Sequence, residues 1–492
     1  MVSNDIMKKY QPVIGLEIHA QMKTKSKAFC SCSTTFRAAP NSNVCPICLG
    51  HPGCLPVLNE ELVNFGIKMG LATNCKIRER SIFARKNYFY PDLTKGYQIT
   101  QYETPLCYDG YIKLKLNDGT EKKIGITRIH LEEDAGKSIH DFSDNETIID
   151  FNRCGVPLIE IVSEPDINSP EEAVLYVQKI RQLLIYLGIC DGNMEEGSLR
   201  CDANISIRPV GSLKLGTRTE IKNLNSFKNI YDALQAEIKR QTEVIEQGGY
   251  VYYTTMTYNA KDKKTIPTRS KEEAHDYRYF PEPDLVYLKV DKDWVERIRV
   301  TLPEFPDVKQ QRFQKQYGIP EYDARILTED QELANYFEEA AKHLPLESTK
   351  GYKNISNLIM TEVLRVLNED KISINEFPIK SEHIAKIAEL IITGIVNSST
   401  AKEIFAELLK HKGNKTPEDI IKEKDLLQVS DTSEIENIIK TVISQNPKEV
   451  ERYKAGEQKL FSFLVGQVMR SSKGKANPKI VNELLKKLLD EI

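Results

Sequence analysis

The chain has 492 residues, of which 40% are hydrophobic and 28% are charged, and its formal net charge is −3. This length predicts two to four domains with a sizeable core, and no segment approaches the roughly 18 apolar residues of a membrane span. Residues 1–10 lack the apolar stretch of a signal peptide, so we expect a cytoplasmic protein that would bind any polyanion through a local basic patch.

The first predicted strand is Val13–His19, where apolar even-numbered positions alternate with Gly15, Glu17 and His19. A period of two places Glu17 and His19 on one face of a strand, about 7 Å apart. A carboxylate and an imidazole at that separation could share a divalent cation, and a solvated polar face is the alternative interpretation.

Four cysteines follow this strand as two close pairs, Cys30-x-Cys32 and Cys45-x-x-Cys48. This spacing is typical of a tetrahedral zinc knuckle, and clustered cysteines in a reducing compartment favour a metal over disulfides. We therefore predict a structural zinc held by the four thiolates. The remaining cysteines, which are scattered between Cys54 and Cys201, are interpreted as small buried apolar residues.

Two segments, Arg85–Tyr97 and His275–Asp284, alternate cations with aromatic rings. Aromatic rings stack on nucleobases and cations contact phosphates, so these segments favour a nucleotide site that includes Lys86, Tyr88 and Tyr90. A tyrosine-rich edge of the core is the alternative.

A second predicted strand, Ile124–Glu133, places His130 and Glu132 on one face and leads into Asp134. Three consecutive carboxylates at a strand end repel one another unless a cation or basic groups neutralise them. An acidic run in an exposed loop is the alternative.

Two helices are predicted between the later strands. The first begins after the Ser169 cap and ends near Leu187, and the second follows Ser226 and ends near Gly248.

The clearest polar row alternates with a wholly apolar one, and it consists of Ser198, Arg200, Asp202, Asn204, Ser206 and Arg208. In the next predicted strand, Arg218, Glu220 and Lys222 share a face. Repeated Asn, Asp, Arg and Ser residues favour a lined cavity over a solvated sheet face. The chain has no Walker loop, no kinase-type glycine-rich loop and no nucleophile elbow, so any ATP site uses another design.

From about Thr301 prolines interrupt the chain and helical patterns then dominate, with a polar linker at 410–415. We predict an α+β body with a mixed or antiparallel sheet over 1–300, an all-α domain over 301–408 and a small all-α tail over 409–492. The tail ends in a basic helical tip, whose cations are Lys454, Lys459, Arg470, Lys473, Lys475 and Lys479. Such a tip suits contact with a phosphate backbone, and a solvated lysine-rich helix end is the alternative interpretation.

Several strings together resemble GatB, one of the subunits of the aspartyl/glutamyl-tRNA amidotransferase, and the resemblance spans nearly the whole chain. The strings are Val13–His19, Arg85–Pro91, His130–Lys137, Pro157–Asp166, Met194–Asn204, Asp276–Asp284, Phe463–Met469 and Gly474–Pro478.

The resemblance implies a cradle-like body that uses ATP and Mg²⁺ to phosphorylate the side-chain carboxylate of Glu-tRNA(Gln) or Asp-tRNA(Asn). It implies a heterotrimer in which an amidase subunit releases ammonia from glutamine, a small third subunit wraps the pair, and the helical regions hold the tRNA. Some members of the family lack the four cysteines, which favours a structural zinc remote from the chemical step.

The residues suit that chemistry, because acyl phosphate formation needs cations around the γ-phosphate and in-line placement rather than a protein nucleophile. We predict Glu17, His19 and Glu133 as Mg²⁺ ligands. We predict a catalytic set of Lys86, Glu132, Arg200, Asp202 and Asn204 and an ATP-binding set of Lys86, Tyr88, Tyr90, Arg200 and Lys222.

Two other functions remain open from the residues alone. One is an ATP-dependent carboxylate–amine ligase that acts without tRNA, against which the basic tail argues. The other is a non-catalytic zinc-knuckle RNA-binding protein, against which the acidic strands argue because carboxylates repel RNA.

Overall fold

The computed structural model describes residues 8–143, 145–269, 276–426, 432–472, 476 and 478–491. The chain divides into two compact units, Met1–Phe305 and Pro306–Ile492. The first unit combines a large sheet with helices, and the described part of the second is helical. The predicted α+β class, with a sheet-containing body followed by helices, is therefore confirmed.

The strands of the first unit are β1 (Tyr10–Gln21), β2 (Lys76–Ile77), β3 (Arg80–Ser81), β4 (Ala84–Asn87), β5 (Tyr97–Thr100), β6 (Cys107–Lys115), β7 (Glu121–Glu133), β8 (Lys137–Ser143), β9 (Glu146–Asp150), β10 (Pro157–Ser163), β11 (Leu199–Pro209), β12 (Thr219–Leu224), β13 (Thr255–Asn259), β14 (Lys264–Arg269), β15 (Phe280–Pro281) and β16 (Leu288–Lys289). Within the described ranges, nine of them form the main sheet in the order β14-β13-β12-β11-β1-β10-β7-β6-β2. Its pairs are antiparallel except for β12 and β13.

The helices of the first unit are α1 (Glu60–Ala72), α2 (Pro170–Tyr186), α3 (Phe227–Glu246) and α4 (Lys292–Arg299). The side chain of Ser169 accepts a hydrogen bond from the backbone of the first turn of α2, and Ser226 does the same for α3. Helices α2 and α3, and the strands β1, β7, β11 and β12, confirm the elements predicted in those segments.

The alternation along the central strands separates an apolar face from a polar face of the main sheet. Ile14, Leu16 and Ile18 of β1 are buried in one core with the apolar residues of β7, β10, β11, α1, α2 and α3. Because successive side chains point to opposite faces, the intervening residues Glu17 and His19 point away from the helices. The helices thus support the sheet from behind, and the other face displays the polar rows.

The second unit contains α5 (Pro306–Tyr317), α6 (Glu321–Leu327), α7 (Gln331–Lys342), α8 (Thr349–Leu358), a π-helical turn (Ile359–Val363), α9 (Leu364–Asp370), a 3₁₀ turn (Ile374–Glu376), α10 (Ser381–Ile392), α11 (Ser398–Lys410), α12 (Pro417–Lys424), α13 (Thr432–Gln445), α14 (Pro447–Lys454), α15 (Lys459–Ser471) and α16 (Pro478–Glu491). None of the helices among the described residues is long and apolar enough to cross a membrane.

The described residues of this unit form two separate groups of buried side chains. The first runs from Phe313 to Ile421 and the second from Ile435 to Leu489. The domain boundary predicted at 408/409 falls inside α11. Helix α12 follows the polar linker but packs with the first group of buried side chains.

Candidate functional site

The register of four adjacent strands brings polar side chains to one place on the main sheet. His19 of β1 lies opposite Glu160 of β10 and Arg200 of β11, and Glu160 lies opposite His130 of β7. Directly opposed residues of antiparallel strands share a face and have neighbouring Cβ atoms. Pairing alone therefore assembles a polar cluster from strands far apart in sequence.

The side chains of His19, His130, Glu132 and Glu160 converge, and we call them the histidine–glutamate cluster. His19 Nε2 lies 3.1 Å from Glu160 Oε2 and 3.8 Å from Glu132 Oε1. His130 Nε2 lies 3.0 Å from the same Glu160 oxygen and 3.7 Å from Glu132 Oε2. The possible metal-ligand atoms of His19, Glu132 and Glu160 all lie within 4.8 Å of one another, which is close enough for them to share one cation.

Charge governs the protonation of the histidine–glutamate cluster. Burial acts to lower the pKa of His130, but Glu160 and Glu132 raise it to about 9. Burial also acts to lower the pKa of His19, but the same two carboxylates raise it above its usual value. Burial acts to raise the pKa of Glu160, but the two imidazoles hold it well below its usual range. The carboxylates are therefore ionised and attract positive charge into a largely desolvated site.

Lys86 and a set of tyrosines border the histidine–glutamate cluster. Burial acts to lower the pKa of Lys86, but the Glu132 carboxylate leads the charges that raise it. The Lys86 ammonium lies 4.9 Å from the centre of the Tyr277 ring, and the Tyr88 hydroxyl donates to Gln98 Oε1 at 3.3 Å. Because the Glu132 charge acts on both Lys86 and Tyr88, the structure brings the predicted phosphate-binding lysine and one of the two predicted tyrosines to the histidine–glutamate cluster. Tyr90 is about half exposed (48%) at the turn that precedes Leu93.

A second group of polar residues surrounds the buried carboxylate of Asp134. Arg200 Nη2 donates to Asp134 Oδ2 at 3.0 Å, and Gln21 Nε2 donates to the same oxygen at 2.8 Å. Burial acts to raise the pKa of Asp134, but Arg200 and Arg153 lower it. Arg200 Nε is buried and has no hydrogen-bond partner among the described residues, so the guanidinium retains a donor.

The predicted row of β11 extends the polar face away from the histidine–glutamate cluster. Asn204 Nδ2 donates to Glu17 Oε1 at 2.9 Å, and Asp202 Oδ1 accepts from a backbone amide of β12 at 3.1 Å. Lys222 forms an ion pair with Glu220 at 3.2 Å. Burial and then Glu160 raise the pKa of Glu17, so this carboxyl group is more easily protonated than Glu160. Glu17 lies on the same face as His19 but does not belong to the group of possible metal ligands formed by His19, Glu132 and Glu160.

Glu133 is placed apart from the other predicted metal ligands. Because it follows Glu132 directly on β7, its side chain points to the opposite face of the sheet. There its Oε1 accepts from the Lys95 ammonium and, at 2.9 Å, from the backbone amide of Ile99. The structure therefore does not bring Glu133 together with His19.

Sequence reasoning did not select Glu160, His130 or Asp134 as site residues. A signal for Glu160 was available, because it is the one charged residue within the otherwise apolar strand Leu158–Val162. A buried carboxylate in such a strand is costly unless it is paired, so its presence indicates a partner on a neighbouring strand.

The four predicted zinc-binding cysteines lie together in the loops that follow β1, and we call them the cysteine cluster. The sulfur atoms of Cys30, Cys32, Cys45 and Cys48 lie within 4.8 Å of one another. The scattered cysteines are buried as expected except for Cys54, which is exposed. That exception follows from its place in an irregular loop, where no strand or helix provides a core for it.

The donor types of the two clusters suit different cations. The carboxylates of the histidine–glutamate cluster match the hard oxygen ligands of Mg²⁺ or Mn²⁺, whereas the four thiolates match a structural zinc. In the tail, Lys454, Lys459 and Arg470 are exposed. The predicted contacts at Lys473 and Lys475 lie outside the described residues, as does the side chain of Lys479.

The chain matches two family models, one described as GatB/GatE catalytic domain over residues 12–296 and one described as GatB domain over residues 335–489. It is similar to the GatB subunit of the aspartyl/glutamyl-tRNA(Asn/Gln) amidotransferase of Thermodesulfovibrio yellowstonii, with 57% identity over 482 residues that cover 98% of this chain and 100% of the relative. The same subunits of Geotalea uraniireducens and Geobacter sulfurreducens are each 53% identical to this chain. Each alignment covers 98% of this chain, together with 100% of the first relative and 99% of the second.

Proposed function

Because the chain belongs to the GatB family of aspartyl/glutamyl-tRNA amidotransferase subunits, which form ligase-type enzymes, we propose that it activates the side-chain carboxylate of a misacylated tRNA with ATP. The substrates are Glu-tRNA(Gln) or Asp-tRNA(Asn). Ammonia from a glutaminase partner, the amidase subunit, then displaces the phosphate, and a small third subunit completes the heterotrimer.

The observation that supports this proposal is the convergence of the histidine–glutamate cluster, Lys86 and Arg200 on one polar sheet face. Glu132 and Glu160 would hold Mg²⁺, together with His19 once its imidazole has lost its proton, and the ion would supply charge neutralisation for the transferred phosphoryl group. Lys86 and the unpaired Nε of Arg200 provide positive charge and a hydrogen-bond donor for phosphate oxygens. A carboxylate is a poor electrophile, so an acyl phosphate gives the incoming ammonia a leaving group.

Asp134 positions Arg200 rather than contacting phosphate itself. Its carboxylate is buried and accepts hydrogen bonds from both Arg200 and Gln21, which fixes the orientation of the guanidinium. The row through Asn204 and Asp202 is polar and partly buried, and we propose that it lines the route of ammonia. The exposed cations of α14 and α15 are proposed contacts for the tRNA backbone.

The test is tRNA-dependent ATP cleavage by the chain assembled with its two partners, the amidase and the small third subunit. Wild type should release ADP only when Glu-tRNA(Gln) or Asp-tRNA(Asn) is present, and Glu160→Gln should reduce this rate by about 10²-fold or more. Glu164→Gln is a matched control, because Glu164 lies just beyond β10 and accepts a hydrogen bond from Thr127 instead.

Glutamine hydrolysis by the partner should persist in the Glu160→Gln complex, which separates a chemical defect from failed assembly. ATP cleavage that is equally fast without tRNA would favour the ligase that acts on a free carboxylate. No cleavage in a folded wild-type complex would refute the proposal.

A further inference from the structure

Lys27 is a fully buried lysine beside the cysteine cluster. Its side chain is 0% exposed, and Nζ donates to the backbone oxygen of Asn43 at 2.7 Å. Nζ also lies 3.5 Å from Cys48 Sγ and 3.5 Å from the backbone oxygen of Phe151. The three donors of an ammonium group thus face two carbonyl oxygens and one sulfur.

Among the described residues, Lys27 forms no ion pair with a carboxylate within 4.0 Å, and the Glu133 carboxylate, which also lies beside Gly155, is paired with Lys95. Burying an ammonium group without an opposite charge is costly, and such residues are rare in protein cores. Among the hydrogen-bond partners of Lys27 in the described part of the chain, Cys48 Sγ is the one that can carry a negative charge. Four thiolates around one divalent cation have a net charge of about −2, so this centre would supply the missing counter-charge.

The surrounding backbone holds Lys27 and Cys48 in contact. Gly155 has φ +83°, and a Cβ atom at that position would lie 3.4 Å from Lys27 Cδ and 3.5 Å from Cys48 Cβ. These separations are ordinary van der Waals contacts, so the left-handed φ, rather than a lack of space, is what favours glycine here. Asn152 Oδ1 accepts from the Asn43 backbone amide at 2.8 Å, which fixes the loop whose carbonyl group receives the Lys27 ammonium.

We infer that Lys27 is the counter-charge of a metal–tetrathiolate centre formed by Cys30, Cys32, Cys45 and Cys48, so that the bound metal and Lys27 stabilise each other. The inference rests on the proposed zinc. It assigns Lys27 a positioning and charge-balancing role outside the metal's ligands, of the kind that neighbouring groups commonly have at metal sites.

The experiment uses the full chain in zinc-loaded and zinc-stripped forms, comparing wild type, Lys27→Met and Lys25→Met. Lys25 is exposed on the same loop, so it controls for loss of a nearby positive charge. Zinc per chain is measured by elemental analysis, zinc release by competition with a chromogenic chelator, and the melting temperature of each form by calorimetry.

We expect Lys27→Met to release zinc at least tenfold faster than wild type and Lys25→Met to match wild type. The increase in melting temperature on zinc loading should be smaller in Lys27→Met. The stripped Lys27→Met protein should be at least as stable as stripped wild type, because it no longer buries an unpaired ammonium group. Lys27→Gln gives the same comparison if the methionine variant does not fold.

Two results overturn the inference while leaving the zinc site intact. One is zinc release from Lys27→Met at the wild-type rate. The other is an equal loss of stability in the loaded and stripped forms, which would make Lys27 a packing residue. Wild type that binds no zinc after loading would instead refute the proposed metal, and the inference with it.

Discussion

Glu237→Gln should destabilise the first unit strongly, because this glutamate joins α3 to two strands of the sheet. Its side chain is fully buried and accepts from the hydroxyls of Thr219 on β12 and Thr265 on β14, at 2.8 and 2.7 Å. Gln241 donates at 3.0 Å, and Arg240 donates through Nε and Nη2 at 2.9 and 2.6 Å. A glutamine lacks the charge and presents an amide group to donors that need an acceptor.

The size of the effect follows from the contacts. Breaking a buried ion pair by removing one partner costs about 3–5 kcal/mol, and the Arg240 side chain is 34% exposed, so the lower end applies. We expect a loss of about 3 kcal/mol, or a fall of about 5–10 °C in the melting temperature of the first unit. Differential scanning calorimetry at pH 7 measures it, with Glu243→Gln as the control because the ion pair that Glu243 forms with Lys239 on the same helix is exposed.

The loss should depend on pH in a defined direction. Burial acts to raise the pKa of Glu237, but Arg240 and the other donors hold it below its usual 4.5. The stabilisation is therefore present above pH 4.5 and is lost as pH falls through the lowered pKa. The difference between wild type and Glu237→Gln should shrink towards pH 3. A difference that is unchanged at pH 3, or no larger than that of Glu243→Gln at pH 7, would refute the reasoning.

Three further predictions concern single side chains. Tyr176→Phe should leave the melting temperature unchanged or raise it, because the Tyr176 hydroxyl is buried without a hydrogen-bond partner among the described residues. Tyr336→Phe should lower the free energy of unfolding by about 1 kcal/mol, because the Tyr336 hydroxyl donates to a backbone carbonyl at 2.8 Å. Glu160→Gln should weaken Mn²⁺ binding by at least tenfold in calorimetric titration, and unchanged affinity would exclude Glu160 as a ligand. Lys86→Met should lower tRNA-dependent ATP cleavage by about 10²-fold while the glutaminase rate of the complex persists, and equal loss of both would indicate a folding defect.

The alternation of residue types in the sequence was enough to predict which side chains of a given strand share a face. It placed Glu17 and His19 together on β1, and Arg200, Asp202 and Asn204 together on β11, as the structure shows. It did not predict which strands are neighbours, since β1 pairs with strands that begin near residues 157 and 199. The order of strands depends on non-local pairing, which local periodicity does not encode.

The same limit explains Glu133 and Glu160. Composition favoured the acidic run at the end of β7, so Glu133 was predicted as a ligand although it alternates with Glu132. Glu160 lies in a strand that resembles a continuous apolar segment, because its neighbours on the same face, Leu158 and Val162, are also apolar. Only the register, which sets Glu160 opposite both His19 and His130, identifies it as the residue that the cluster surrounds.

The core and the site depend on one register. A slip of one residue along β1 would move Glu17 and His19 into the apolar core and bring Leu16 and Ile18 to the polar face. The irregular pairing of β10 with β7 lies between Val162 and Ser163, beyond the Glu160–His130 pair, so it does not disturb the cluster. Burial of the apolar residues against the helices therefore fixes the positions of the charged ones, and the cost of crowding them is offset by folding energy from the opposite face. A site built in this way requires no mobile loop to bring the histidines and glutamates together.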